Sequence, residues 1–302
     1  MHGFFLIKKS EQLELDDDKL KCNKEQEMIS YVKGNIFESP AQVITNTVNT
    51  VGVMGKGIAL EYKNRYPKMF EEYKKLCKAG TFKPGNLALW KDEDKWILLF
   101  PTKEDWRKPS KLEYIENGLK KFLKNWDKYN IDSIAFPKLG CGNGGLNWNE
   151  VKPLMEKYLR KLPINIYIYV DNYEEQNDSE NLTDVEKWLS GTTDLNGYDL
   201  FKKELIYKIQ TDNQLQKKYN TRVDDTYLIM DGEIVDEQVM LDNWNMIKSS
   251  GIILIDEAET HLHMSSLLEV MKHMNKTKMI YVAKDDNKFS IKPNAYQYVS
   301  RG

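Results

Sequence analysis

Three glycines and two asparagines in one short stretch set the first chemical question. A β-branched run, Val43-Ile44-Thr45 continuing to Val48 and Val51, reads as a strand, and Asn46 and Asn49 arrive where it would end. Gly52, Gly55 and Gly57 follow, and the chain turns directly into Ile58-Ala59-Leu60-Glu61-Tyr62-Lys63, a helix start. Glycines let the backbone approach a phosphate closely, while first-turn N–H groups and the helix dipole favour negative charge. The spacing of this stretch matches neither the dinucleotide fingerprint nor the P-loop, because no G-x-G-x-x-G or GK[ST] falls within it. Such a turn also serves as plain packing, so a second element is needed. Pro137-Lys138-Leu139-Gly140-Cys141-Gly142-Asn143-Gly144-Gly145-Leu146 supplies one, again directly after an apolar run.

Histidine limits what can happen there. The four are His2, His261, His263 and His273, so nothing between residues 3 and 260 can use one as base or ligand. Ser-His-Asp and Cys-His arrangements are excluded from that stretch, with most zinc sites. We expect no metal and no cofactor. Cys22, Cys77 and Cys141 are scattered without metal-ligand spacing and read as free thiols in a reducing compartment.

The elements that must position these loops follow from periodicity. Ile29–Phe37 alternates and breaks at Gly34; short strands are expected at Asn86–Trp90 and Trp96–Phe100. Leu112, Ile115, Leu119, Phe122 and Leu123 mark one face of a helix from Ser110 to about Tyr129. A strand at Ile131–Phe136, a helix at Trp148–Leu162 and a strand at Ile164–Val170 complete the half. Strands alternating with helices imply an α/β sheet covered on both faces, with ligands beyond the carboxyl ends of the strands. Both glycine-rich loops fall at such ends. At 302 residues the chain has room for two domains, and 41% hydrophobic with 30% charged residues suits a globular protein. A net charge of −2 announces neither nucleic acid nor membrane. No apolar run reaches bilayer length and the N-terminus lacks a secretory pattern, so a cytoplasmic location is expected.

Two glycine-rich loops at neighbouring strand ends, beside Asn46 and Asn49, form a cleft for a diphosphate flanked by sugars. With Lys33-Gly34-Asn35-Ile36 and Phe100-Pro101-Thr102-Lys103, continuing Asp105-Trp106-Arg107-Lys108-Pro109-Ser110, they resemble the macro domain, the ADP-ribose-binding fold. Within it the motifs look like the branch of the DNA ADP-ribosyl glycohydrolase antitoxins and the terminal ADP-ribose protein glycohydrolase. The resemblance covers residues 28–172 and implies a three-layer α/β/α domain with a mixed sheet. It implies Asn35 and Ile36 by the adenine, although most macro domains carry Asp where Asn35 stands. It places Asn46 and Asn49 near the distal ribose, and Gly55, Lys56, Gly57 and Ile58 on the diphosphate. Cys141, Gly142, Asn143, Gly144 and Gly145 would wrap its other side. Lys103 matches the branch's catalytic lysine, acting at the anomeric carbon as nucleophile or polarising cation. The protein-directed enzyme uses an Asp where Gly144 stands, which tilts the expected substrate toward thymidine-linked ADP-ribose on DNA. Trp106, Arg107 and Lys108 are candidates for contact with a single strand by stacking and charge.

The remainder is read more coarsely. Residues 1–27 form a charged lead-in, and 173–197 a polar linker with a short helix around Val185–Leu189. Residues 198–302 are expected to be a smaller α/β domain, with a helix Leu200–Tyr219 and strands at Tyr227–Met230, Ile252–Ile255 and Met279–Val282. Ile252-Ile253-Leu254-Ile255-Asp256-Glu257 resembles a Walker B strand, but the chain has no Walker A loop. His261 and His263 with Asp256 or Glu257 are either metal ligands or polar loop residues, the simpler reading. Three functions remain open: a DNA ADP-ribosyl glycohydrolase with an ADP-ribosyltransferase toxin as partner, a sensor of ADP-ribose signalling through the second half, or a hydrolase of ADP-ribosylated carboxylates.

Overall fold

In the computed structural model, residues 4–6, 29–92, 95–170, 197–224 and 227–299 are described. The chain divides into two units: Met1–Tyr173 with Tyr281–Ile291, and Glu174–Ile280 with Lys292–Gly302.

The first unit is organised around the β-branched run. It becomes a strand with Val43, Ile44 and Val48 each at most 3% exposed, which a single half-covered sheet face would not allow. In chain order the elements are β1 (Phe4–Leu6), β2 (Ile29–Lys33), β3 (Val43–Val48), α1 (Gly57–Arg65), α2 (Pro67–Lys78), β4 (Ala88–Lys91), β5 (Trp96–Pro101), α3 (Leu112–Leu123), β6 (Ser133–Pro137), α4 (Trp148–Leu159) and β7 (Asn165–Tyr169). The spatial order is β1-β4-β5-β3-β6-β7-β2. The five strands from β5 to β2 run parallel, and β4 and β1 are antiparallel additions at one edge. Tyr281–Ala283 pairs antiparallel on β2 at the other. This is the mixed sheet the resemblance implies.

Packing explains the layers. On α3, Ile115, Leu119 and Phe122 recur at helical spacing and join Val151, Met155 and Leu159 of α4 over Val43, Leu98, Phe100, Ile134 and Ile166. Gly118 lets α3 descend onto the sheet: a Cβ there would stand 2.2 Å from the Phe100 ring. On the opposite face lie α1 and α2, burying Tyr62, Met69 and Tyr73. Pro67 opens α2 at its first position, where a missing N–H costs no helical bond. The asparagine Asn147 caps α4 by accepting from Asn149 N at 3.0 Å.

Residues 281–291 belong to this layer structure. Asp285 pairs with Lys152 of α4 at 3.0 Å, Asp286 pairs with the same lysine, and the Trp148 indole donates to Asp286. Phe289 packs on the core of α3 and α4, with the Lys33 ammonium 4.5 Å over its ring. A domain running from 28 to 172 lacks this returning segment, which carries no motif to announce it.

The second unit is α/β too. Ile252–Leu254 and the first four residues of Thr277–Ala283 flank the strand Ala295–Tyr298, and Arg222–Asp224, Tyr227–Met230 and Glu233–Ile234 form a separate three-stranded sheet. Its core stacks Phe201 on Trp244, ring centroids 4.1 Å apart, with Leu205, Ile247, Leu267 and Met271.

Several elements differ from expectation. The helix expected from Ser110 to about Tyr129 is Leu112–Leu123, with no side-chain cap; the Asn125 side chain donates to Lys121 O at 2.7 Å past its end, and Asn130 turns the chain with φ +53°. The helix expected over Leu200–Tyr219 is two, Gly197–Thr211 and Asn213–Lys218. The Asp212 carboxylate caps the second by accepting from Gln214 N and Leu215 N. The strand from Ile252 ends at Leu254, and Ile255–Ala258 is a helical turn, so Asp256 and Glu257 do not sit on a Walker B strand end. The expected helix at Val185–Leu189 lies outside the described residues.

Candidate functional site

The sheet itself makes the opening. β3 pairs with β5 along its whole length, but with β6 only at Val43 and Ile44. Beyond Ile44 the strands part, at the point where the connections diverge to opposite sides of β3. A cleft of about 990 Å³ occupies this place. Its lining comes from the carboxyl end of every parallel strand: Gly34 and Ile36 after β2, Thr47–Asn49 of β3, Thr102 and Lys103 after β5, Pro137 and Lys138 of β6, Tyr169 of β7.

The first glycine-rich loop is held from beneath by Asn49. Its Oδ1 accepts from Val51 N at 3.1 Å, Val53 N at 3.3 Å and the buried Tyr73 hydroxyl at 3.1 Å, while its Nδ2 donates to Val53 O at 2.6 Å. Gly55, Lys56, Gly57 and Ile58 then line the cleft. α1 starts at Gly57 with no side-chain cap and no acidic residue in its first turn, which leaves the first-turn N–H groups and the positive dipole end for an anion.

The second loop closes the other wall, with Gly142, Asn143 and Gly144 at the cleft. The Asn143 amide stands 2.9 Å from where a Cβ on Gly57 would be, so the two loops meet there. Gly144 is packed tightly: a Cβ would lie 2.1 Å from Gly140 O and 2.4 Å from Ser110 Oγ. Its carbonyl accepts from Ser110 N at 2.9 Å. No side chain of any kind fits at 144 without displacing backbone.

Lys103 sits between two pinned neighbours. Thr102 is buried and its N–H continues the β3–β5 pairing onto Val48 O at 2.9 Å. Glu104 O accepts from Thr50 N at 3.1 Å and Thr50 Oγ1 at 2.9 Å. Between them the Lys103 ammonium reaches across to donate to Asn143 O. Partial burial lowers its pKa from the ordinary lysine value, so the neutral amine is more accessible than on an open surface.

Other residues singled out from sequence take different places. Asn35 accepts from Phe37 N at 3.0 Å and caps the turn Ile36–Glu38, and only its neighbours Gly34 and Ile36 line the cleft. Asn46 lies fully buried under the floor, with Nδ2 on Met54 Sδ at 3.7 Å. Its Oδ1 is buried with no hydrogen-bond partner among the described residues. Cys141 and Gly145 flank the second loop without lining the cleft. Burial pushes the Cys141 thiol up to about 11, which makes it a poor nucleophile. Trp106 lines the mouth and is 51% exposed, whereas Arg107 and Lys108 stand behind it, near Asp105 and Glu104 at 4.0 and 3.3 Å. Thr47, Lys138 and Tyr169 line the cleft without having been selected. The rule that ligands sit at strand carboxyl ends points to all three.

The histidines go elsewhere. His263 Nδ1 lies 3.1 Å from Asp231 Oδ2, and His261 Nδ1 3.0 Å from Thr260 Oγ1, so the two rings take separate partners. Among the described residues no three His, Cys, Asp or Glu side chains gather as for a metal ion, and no helix is long and apolar enough to cross a membrane.

The family profile described as Macro domain matches residues 45–155. The chain is 41% identical to the DNA ADP-ribosyl glycohydrolase of Thermus aquaticus over 147 residues, 47% of this chain and 41% of that protein. It is 40% identical over 161 residues to a DNA ADP-ribosyl transferase–DNA ADP-ribosyl glycohydrolase fusion protein of Thermosipho africanus, 47% of this chain and 42% of that one. The chain therefore spans less than half the length of these curated relatives. Among solved structures, Thermosipho africanus DarTG in complex with ADP-ribose is 38% identical, covering 53% of this chain and 44% of that one with a TM-score of 0.47.

Proposed function

Since the first unit carries a macro domain, we propose that this chain removes ADP-ribose from modified DNA, with Lys103 acting at the distal ribose. The observation that carries the reading is the Lys103 ammonium inside the cleft, bonded to the second glycine-rich loop and lowered in pKa by burial. A pure ADP-ribose reader has no use for a partly buried lysine at that point. The curated relatives, which are named DNA ADP-ribosyl glycohydrolases, support the substrate class.

In this reading the diphosphate lies on the first turn of α1, between Gly55–Ile58 and Gly142–Gly145 with Cys141 at the loop's start. A helix N-terminus contributes about 0.3–1 kcal/mol to such an anion, and up to ~2 when partly buried. The adenine lies toward Asn35 and Ile36. The distal ribose lies over Asn49, with the unpartnered Asn46 Oδ1 in the floor below. The bond from the anomeric carbon to the thymidine nitrogen breaks with its electron pair on the base, which takes a proton. Water supplies the hydroxyl that ends on the anomeric carbon. Lys103 assists by attacking that carbon as a free amine or by polarising the ribose as a cation.

Gly144 bears on the acceptor. An aspartate there, which protein-directed chemistry on carboxylate esters would need, meets Gly140 O and Ser110 Oγ at impossible distances. A cognate ADP-ribosyltransferase is the partner this reading implies, and the fusion relative supports it. The test is release of ADP-ribose from a single-stranded oligonucleotide carrying ADP-ribosyl-thymidine, with Lys103→Ala beside the wild type. Release by wild type alone supports the enzyme. Binding of ADP-ribose without release from DNA, or from an ADP-ribosyl-glutamate protein, leaves a sensor.

A further inference from the structure

Most large apolar side chains in the first unit are buried, yet Val51 is 49% exposed, Val53 38% and Trp106 51%. Val53 and Trp106 line the same cleft, and Val51 stands two residues before Val53 on its loop. Exposed apolar groups gathered beside a polar cleft mark a surface that something covers.

The rim is a built feature rather than a loose loop. The Asn49 side chain grips the backbone of both valines, and the buried Tyr73 hydroxyl donates to Asn49 O at 2.8 Å. Thr50, lying between Asn49 and the valine loop, is tied by two hydrogen bonds to Glu104 O on the loop that carries Trp106. That second loop is fixed in turn: the Asp105 carboxylate accepts from Arg107 N at 2.9 Å, and Asp105 O from Lys108 N at 3.1 Å. The Arg107 guanidinium lies 4.6 Å from the centre of the Trp106 ring and steadies it. Two valines and an indole are thus presented from separate loops locked to each other.

Resting on the reading that the cleft holds ADP-ribose, we propose that Val51, Val53 and Trp106 form the platform for the acceptor, and that its occupant is an unpaired nucleobase of single-stranded DNA. A flat aromatic base matches an indole face and branched methyl groups, whereas a carboxylate side chain gains nothing from them. The surroundings suit a polyanion: Lys56, Lys103 and Lys138 line the cleft, and the loop 103–108 carries Lys103, Arg107 and Lys108 against Glu104 and Asp105. Arg107 and Lys108 are neighbours of those carboxylates, so their part is to hold the loop and Trp106, with backbone phosphate attraction secondary. Sequence places Trp106 among DNA contacts; only the fold ties its loop, through Thr50 and Glu104, to the loop of Val51 and Val53.

The experiment uses the full chain and two probes in parallel, free ADP-ribose in calorimetry and an unmodified thymidine octanucleotide in fluorescence anisotropy. Trp106→Ala and the double variant Val51→Ser/Val53→Ser are compared with wild type, with Trp106→Phe as the conservative variant. Base–aromatic stacking predicts a roughly tenfold weaker oligonucleotide capture for Trp106→Ala. ADP-ribose affinity is expected to fall by a much smaller factor, and Trp106→Phe to recover most of the loss. Equal losses on both probes, no loss, or no oligonucleotide binding by wild type overturn the platform. The reading of hydrolysis fails separately. A wild type that captures DNA through Trp106 but releases no ADP-ribose keeps the platform and loses the enzyme, and release with a KM indifferent to Trp106 does the reverse.

Discussion

In the proposed reading, Lys103 and Gly144 decide the chemistry between them, one by what it brings and the other by what it keeps out. Burial lowers the Lys103 pKa, so the expected pH–rate profile on ADP-ribosyl-thymidine DNA rises through a value below the ordinary lysine pKa near 10.4. A rate that is flat or falls over that range assigns the cationic role instead. Lys103→Arg keeps the charge but cannot become neutral at any working pH, so it is expected to be as inactive as Lys103→Ala while ADP-ribose still binds in calorimetry. Gly144→Ala forces a methyl against Gly140 O and Ser110 Oγ. Overpacking of this kind costs about 1–3 kcal/mol. We expect a lower melting temperature and weaker ADP-ribose binding, because the loop must move to relieve it. Unchanged values for both would mean that the loop is softer than its contacts imply. The lysine's position is legible in sequence only through the motif around it, since a lysine after a strand is otherwise ordinary surface. The tightness at Gly144 depends on Ser110, thirty-odd residues away in sequence, and no local pattern reveals it.

At the scale of elements, strands and helices of the first unit follow from alternation and helical spacing, and the glycine-rich loops announce the cleft. What escapes is capping and docking. Asp212 splits one expected helix because its carboxylate finds two N–H groups, and Asn125 ends another by bonding back to Lys121. The segment Tyr281–Ile291 docks by Lys152, Asp285 and Asp286. The Lys152 ammonium, followed by the Asn287 backbone N–H, holds the Asp285 carboxyl down at about 2. The ordinary value is near 3.9, so this stabilisation is present above pH ~4 and is lost as pH falls through about 2. The melting-temperature gap between wild type and Asp285→Asn is therefore expected to be full at pH 5 and to close between pH ~4 and ~2. A gap constant down to the lower limit would show that the carboxylate charge contributes nothing. The Asn49 side chain makes three hydrogen bonds in the valine loop and accepts a fourth from Tyr73, and Asn49→Ala is expected to cost about 1–3 kcal/mol in chemical denaturation.

At the scale of the molecule, composition and length leave room for two bodies, and the chain divides into two units by its contacts. The boundary is less simple. The sequence places it in the polar stretch 173–197, whereas the first unit also takes back Tyr281–Ile291. Thr277–Ala283 is a single strand, and its periodicity cannot register that Thr277–Ile280 and Tyr281–Ala283 pair with different neighbours. A chain cut at residue 172 loses the antiparallel partner of β2, the two carboxylates on Lys152 and the Phe289 ring. It is expected to melt several degrees below the full chain, at ~1 kcal/mol per roughly 2–8 °C for units of this size. Equal melting of the cleft-bearing unit in both would make the returning segment dispensable.

That return has a consequence in time. A protein made from its N-terminus gives up its folding units as they emerge, at about 5–20 residues per second. Here every cleft residue has been synthesised by Tyr169, yet the last strand of its sheet and the clasp on α4 follow only after roughly a hundred further residues. The nascent unit waits on the order of 5–20 s with one edge of β2 unpaired. Translation of residues 174–280 thereby sets the earliest moment at which the finished sheet of the first unit can exist.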